Sequence, residues 1–235
     1  MKVFFALSLL PVVLAIVVRT VFHGRSGEVI SVFQDIFMVY DLQFLIVILA
    51  LFYGTSVCSE EIEGKTLPYL ATRPLDKPGI VVGKYAAYLG LTSFMVLVSL
   101  AATYLVINGD RLGDPRIWTS FGRYAGVLVL GLAAYMALFA FLGTFMKKSI
   151  MVGLAFGFGW ETVIQYFPGS TQKFSIVHYL KSLLPGFSPG KYSVLMFRLE
   201  PTSPLLAILT LVLIAAAFLA LACLLFSLKE YMFED

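Results

Sequence analysis

The sequence predicts an all-α membrane protein, and three observations carry that class. Hydrophobic residues make up 60% of the 235 residues and charged residues only 13%, whereas a soluble domain carries about 25% charged side chains. Runs free of Asp, Glu, Lys and Arg recur from one end of the chain to the other, and about 20 apolar residues cross the hydrocarbon core. These runs are continuous rather than alternating with period two. That excludes the pattern of a membrane barrel and favours helices, which satisfy their own backbone hydrogen bonds in lipid. The expected architecture is one domain built as a six-transmembrane-helix bundle.

The first span, 3–20, follows Met1-Lys2 and has the charged start and apolar run of a secretory signal. The run continues to Val18 and meets Arg19 with no small-x-small cleavage site, so a retained helix is expected. The loop from Thr20 to Asp41 is read as an interfacial helix beneath Ile30, Val32, Phe33, Ile36 and Phe37, with Asp35 and Asp41 turned to water. The second and third spans are placed at 40–59 and 79–107. Between the third and the fourth, 120–146, Asn-Gly-Asp and Asp-Pro-Arg supply turn chemistry, and Trp118 is positioned as an aromatic-belt anchor. Only Lys147-Lys148 separate the fourth span from the fifth, 149–167, so these two must be antiparallel neighbours. Gly153 and Gly157 within the fifth allow close approach of another helix.

The stretch 170–200, before the sixth span at 203–228, differs from the other loops. Pro185-Gly186 and Pro189-Gly190 break it. Its Phe174–Leu184 part carries Phe174, Val177, Leu180, Leu183 and Leu184 near helical spacing, with Lys173 and Lys181 on the polar side. It is expected to be a helical outer element packed on the bundle, because non-helical backbone at membrane depth needs protein or water around it. Glu161 sits beside Trp160 at the edge of the fifth span. A carboxylate in lipid is costly and faces a cavity or a partner, so both residues are candidates for a substrate path or gate, against an ordinary boundary position. Cys58 and Cys223 lie at helix ends and are expected to be small buried residues rather than a disulfide.

Orientation follows from the cationic residues. If every span crosses, one side holds Lys2, Lys65, Arg73, Lys77, Lys84, Lys147, Lys148 and Lys229; the other holds Arg19, Arg25, Arg111, Arg116, Arg123, Lys173, Lys181, Lys191 and Arg198. The counts nearly tie, but the first set lies in much shorter loops. Positive charge in short loops marks the cytoplasmic side, which places both termini and the 58–84 loop in the cytoplasm.

Bond-making chemistry is not written in this chain. Gly64-Lys65-Thr66 suggests a phosphate loop, but the earlier glycine of that pattern is replaced by Ser59, and Glu60, Glu61 and Glu63 would repel phosphates. Gly79 to Lys84 is one residue short of the pattern and is followed by Tyr85. The two histidines, His23 and His178, fall in different outer loops. No catalytic residue, metal site, cofactor site or nucleic-acid surface is expected.

What the 60–78 segment offers is mechanical. Thr66 can cap a short helix with Leu67 and Pro68 in its first turn, ending near Thr72 before Arg73-Pro74. Leu67, Tyr69 and Leu70 then form an apolar knob flanked by charge. The order Glu-Glu-x-x-Gly-Lys-Thr-Leu, continuing through Arg73-Pro74 to Gly83-Lys84, resembles the loop of type-2 ATP-binding-cassette (ABC-2 type) exporter permeases. That resemblance implies a cytoplasmic coupling helix at Thr66–Thr72 between helices 2 and 3. It also implies that Glu60, Glu61, Glu63, Gly64, Lys65, Thr66, Leu67, Tyr69, Leu70, Arg73 and Lys84 form the ATPase-coupling surface. Two ATPase subunits would bind ATP and Mg, and a second permease copy or a related chain would complete the path through the lipid of a bacterial or archaeal-type plasma membrane. The amphipathic interfacial helix usual at the start of such permeases has no counterpart in this sequence. The competing expectations are a stand-alone secondary transporter or channel, which would need ionisable residues in mid-span, and a membrane assembly factor.

Overall fold

The computed structural model describes residues 2–21, 33–63, 77–109, 113–146, 148–167, 169–184 and 202–228. Every regular element among them is helical. In chain order they are α1 (Lys2–Val21), α2 (33–63), α3 (Lys77–Asn108), α4 (Pro115–Phe145), α5 (149–166), α6 (Ile176–Ser182) and α7 (Pro204–Leu228).

Four of these contain segments long and apolar enough to cross a membrane: Phe33–Val57, Pro78–Asn108, Pro115–Phe145 and Pro204–Leu228. The α1 helix contributes a shorter apolar stretch, Ala6–Val21. The fifth predicted span is one helical path but not one regular helix. It passes from α (Ser149–Leu154) to π (Ala155–Trp160), back to α (Glu161–Val163) and into a 3-10 turn (Ile164–Tyr166).

At the core, α2 and α4 lie side by side and run in the same direction, because glycine removes the side chains that would hold them apart. A Cβ on Gly54 would lie 2.8 Å from the Met136 carbonyl oxygen, and one on Gly143 would lie 2.7 Å from that of Thr55. Both are shorter than any real Cβ contact, so backbone meets backbone along this seam. The α5 helix packs by the same means: a Cβ on Gly153 would collide with Leu51 and one on Gly157 would lie 2.5 Å from Val47. The small residues singled out in the sequence therefore serve contacts within the chain. Tyr135 and Phe139 of α4, stacked at 6.1 Å, fill the centre together with Leu49, Leu51, Leu132 and Met136, all fully buried.

Around this core α1 runs parallel to α3. Ser99 donates to the Ser8 carbonyl, and the Arg19 guanidinium donates to the Val106 carbonyl in the last turn of α3. Asp114 caps α4 by accepting from the Arg116 amide at 2.9 Å, with Pro115 in the first turn.

The 20–41 stretch departs from expectation. Residues 22–32 lie outside the described set, and from Phe33 onward the chain is already α2. Asp35 is exposed as expected, but Asp41 is only 4% exposed. The helix begins at Phe33, seven residues before the expected span at 40–59, and passes through a π-helical stretch, Phe37–Leu45. Phe37, Asp41 and Leu45, four residues apart, share its buried face, so the carboxylate lies within the bundle instead of in water.

Candidate functional site

The ends of α2 and α3 frame the loop in which the sequence places the coupling surface. Glu60, Glu61 and Glu63 are in the last turns of α2, with only their backbone described. Gly64, Lys65, Thr66, Leu67, Tyr69, Leu70 and Arg73, and with them the expected coupling helix, lie outside the described residues. On the far side of the loop, Lys84 is half-buried about two turns into α3. The following residue anchors that helix, since the Tyr85 hydroxyl donates to the Ala133 carbonyl at 2.9 Å. The Pro78 carbonyl faces the thiol of half-buried Cys223 at 3.9 Å, so the start of α3 touches the last turns of α7.

At the opposite end of the bundle stands a polar cluster that the sequence indicated by one residue only. Trp160 is 50% exposed, while the adjacent Glu161 is 0% exposed. The π turn ending at Trp160 sets this difference by rotating the next residue inward. The Glu161 carboxylate accepts from the Ile176 amide at 3.1 Å, the Val177 amide at 3.4 Å and the Ser175 hydroxyl. Those amides belong to the first turn of α6 and would otherwise be orphaned. A carboxylate on one helix thus caps the next, where the helix dipole also favours negative charge. Ser175 is itself the N-cap, accepting from the His178 amide.

Lys181 lies one turn and a half further along α6 and is likewise 0% exposed. Its ammonium donates to the Gln165 side-chain oxygen, and the Gln165 amide nitrogen donates back to the Glu161 carbonyl. Gln172 donates to the Gln165 carbonyl at 3.3 Å. From α4, the buried Tyr135 brings its hydroxyl against the carboxylate. The far side of α6 reaches α7: His178 Nε2 pairs with the Thr202 hydroxyl at 3.0 Å, and the Thr202 amide donates to Ser182 at 3.3 Å. Burial, with the charges of Lys173 and Lys181 adding to it, lowers the His178 pKa from its ordinary value.

Two expectations for this segment are corrected. Lys181 is not on a polar face but at the centre of the cluster, and Phe174 is exposed rather than buried. The reason is a break in the helix. Gly169–Phe174 forms 3-10 turns, and α6 starts only at Ile176, so the rotation assumed from Phe174 onward does not carry through. Val177, Leu180 and Leu184 do face the core, with Leu180 packed over Gly131. Residues 185–200 of the expected outer element lie outside the described set. The buried position of Asp41 differs from expectation because α2 already runs from Phe33, where a loop with an interfacial helix is expected.

No group of three or more His, Cys, Asp and Glu side chains suited to a metal ion occurs among the described residues. Among the described residues, the chemistry at this end is mechanical: buried hydrogen bonds tie α5 to α6, and α6 to Thr202 just ahead of α7.

The long apolar helices define an integral membrane protein, and the comparisons agree with that class. Residues 1–161 match the family model described as ABC-2 family transporter protein. The chain belongs to the ABC-2 transporter family and is an integral membrane protein. It is also 29% identical over 160 residues to the probable ABC transporter permease protein NosY of Stutzerimonas stutzeri, a match covering 65% of this chain and 57% of that protein.

Proposed function

We propose that the chain is the permease subunit of an ATP-driven ABC exporter, coupled to an ATPase carried on a separate chain. The observation that supports this best is the match to the ABC-2 family over 1–161, a range that contains the whole Glu60–Lys84 motif. The similarity to a probable ABC permease points the same way. In this reading all six predicted spans cross the membrane, both termini are cytoplasmic, and the Thr66–Thr72 segment docks in a groove of the ATPase. Glu60, Glu61 and Glu63 line the membrane-cytosol boundary, while Leu67, Tyr69 and Leu70 supply the apolar contact. Two ATPase copies bind ATP and Mg, and a second permease, identical or related, completes the path through the plasma or inner membrane.

The test begins by solubilising the tagged chain from its native membrane. A phosphate-loop ATPase should co-purify with it, and in proteoliposomes the pair should hydrolyse ATP faster than the ATPase alone. Leu70→Asp, or Glu60→Ala together with Glu61→Ala, should reduce that stimulation about tenfold, equivalent to about 1.4 kcal/mol of lost coupling, with an unchanged melting temperature. Stimulation that persists in both variants contradicts the docking role.

A second reading rests on Asp41. This carboxylate is buried within the Phe33–Val57 span, and buried carboxylates mark ion or proton pathways in stand-alone transporters. Proton flux through liposomes containing the chain alone, abolished by Asp41→Asn, would favour that reading. Liposomes that stay proton-tight would dismiss it.

A further inference from the structure

We infer that Glu161 and Lys181, bridged by Gln165, form a polar latch that pins the 169–184 element to α5, and that breaking the bridge frees this end of the bundle to open. The placement of the latch at an outer mouth rests on the permease reading, but the pairing itself does not.

The argument starts from location. Both side chains are fully buried, they carry opposite charges, and they sit on different elements. Glu161 grips the start of α6, Lys181 grips the 3-10 turn of α5 through Gln165, and the Gln165 amide closes the ring back to the Glu161 carbonyl. The two charges are opposite in sign, and the polar atoms of Glu161, Gln165 and Lys181 named above are all engaged, whereas the Tyr135 hydroxyl and His178 Nδ1 have no hydrogen-bond partner among the described residues. The outward face of the same short helix holds Thr202, which leads directly into α7. Releasing this one ring of hydrogen bonds would therefore free α5 from α6, while α6 stays tied to Thr202 ahead of α7.

The chemistry then separates a latch from a permanent weld. Leucines on these two surfaces would hold them shut with a one-sided preference, because opening would expose apolar area to water. Two buried side chains of opposite charge, bridged by hydrogen bonds, behave differently. Their desolvation penalty is offset by hydrogen bonds when closed and disappears through hydration when open, so the two states lie close in free energy. Burying one of the charges without the other is strongly unfavourable, whereas removing both is close to neutral. A double-substitution cycle can detect that signature.

The experiment uses the full chain in membrane vesicles, with Cys58 and Cys223 replaced by alanine. A reporter cysteine is placed at Val177, a fully buried position in α6, and in a separate protein at Thr103, a buried position in α3. Both are reacted with a charged, membrane-impermeant maleimide. In the parent, Val177→Cys should react slowly. Glu161→Gln alone and Lys181→Met alone should each raise its rate at least tenfold. The double variant should return to within about threefold of the parent, and Thr103→Cys should react equally slowly throughout.

Single variants that react at the parent rate overturn the latch. So does a double variant whose rate is the product of the singles, since the two charges would then act independently. Thr103→Cys rising in step with Val177→Cys would also overturn it, as the substitutions would merely be unfolding the bundle. If the coupled pattern appears in a chain that captures no ATPase, the latch stands and the permease reading falls.

Discussion

At the scale of single residues, the sequence was most informative about charges in loops and least informative about charges that are buried. Glu161 was conspicuous because it is acidic and stands next to an apolar run, and it proves to be a focal point. Lys181 looked like a solvated lysine because its helix was read one break too early. Asp41 resembles a loop residue because Asp35 and Asp41 interrupt the apolar run through which α2 in fact passes. Among the described residues, His178 Nδ1 has no hydrogen-bond partner, and this has a consequence for pH. Protonation would place a second donor in a buried, unpartnered position, in line with a folded-state pKa lowered from the ordinary value of about 6.5. The unfolded element then binds more protons than the folded one as pH falls below about 6.5, so stability is full above that point and declines on acidification. Amide exchange in 176–182 should accelerate between pH 7 and pH 5, and His178→Gln should remove the dependence.

At the scale of elements, the apolar runs mark where the long helices lie but not every end. The expected 40–59 and 120–146 start later than α2 (33–63) and α4 (Pro115–Phe145), whose first turns carry Asp35 and Asp114-Pro115-Arg116 and so resemble loop. Predicted spans of 79–107 and 203–228 compare with α3 at Lys77–Asn108 and α7 at Pro204–Leu228. What could not be read was rotation. The π stretch in α5 decides which side chains face inward there, and it arises from packing rather than local preference. The glycine spacing in α5 was legible as close packing, but the partner helix was not, since a small-residue motif does not name what it packs against. Gly54 and Gly143 are the sharper case, because there the neighbour is rigid backbone. Gly143→Leu or Gly54→Leu should lower stability by about 1–3 kcal/mol through overpacking. Gly126→Leu, where a Cβ meets open space, should be nearly neutral. Thermal unfolding in one detergent orders the three.

At the scale of the whole molecule, membrane class and helical architecture followed from composition alone, and family membership agrees with the loop motif. The surface fits a lipid setting. Leu205, Leu206, Leu209, Val212 and Leu213 of α7 are largely exposed, an apolar stripe that a soluble protein of this size would not tolerate. The two tryptophans of the sequence, Trp118 near the start of α4 and Trp160 in α5, are both about half-exposed toward the same end. In bilayers, lipids brominated near the headgroup end of their acyl chains should quench this fluorescence more than lipids brominated near the chain terminus. The reverse order would place both rings too deep for belt anchors.

The close seam between α2 and α4 also governs how displacement travels. Two parallel helices in backbone contact have no soft side-chain layer between them to absorb a shear, so they translate and tilt together as one stiff rod. At about 1.5 Å per residue, the 31 residues of α4 span about 46 Å. A push delivered beneath Glu63 would thus be carried along this rod toward the aromatic rings of Phe33, Phe37, Tyr104 and Tyr124 at the other end.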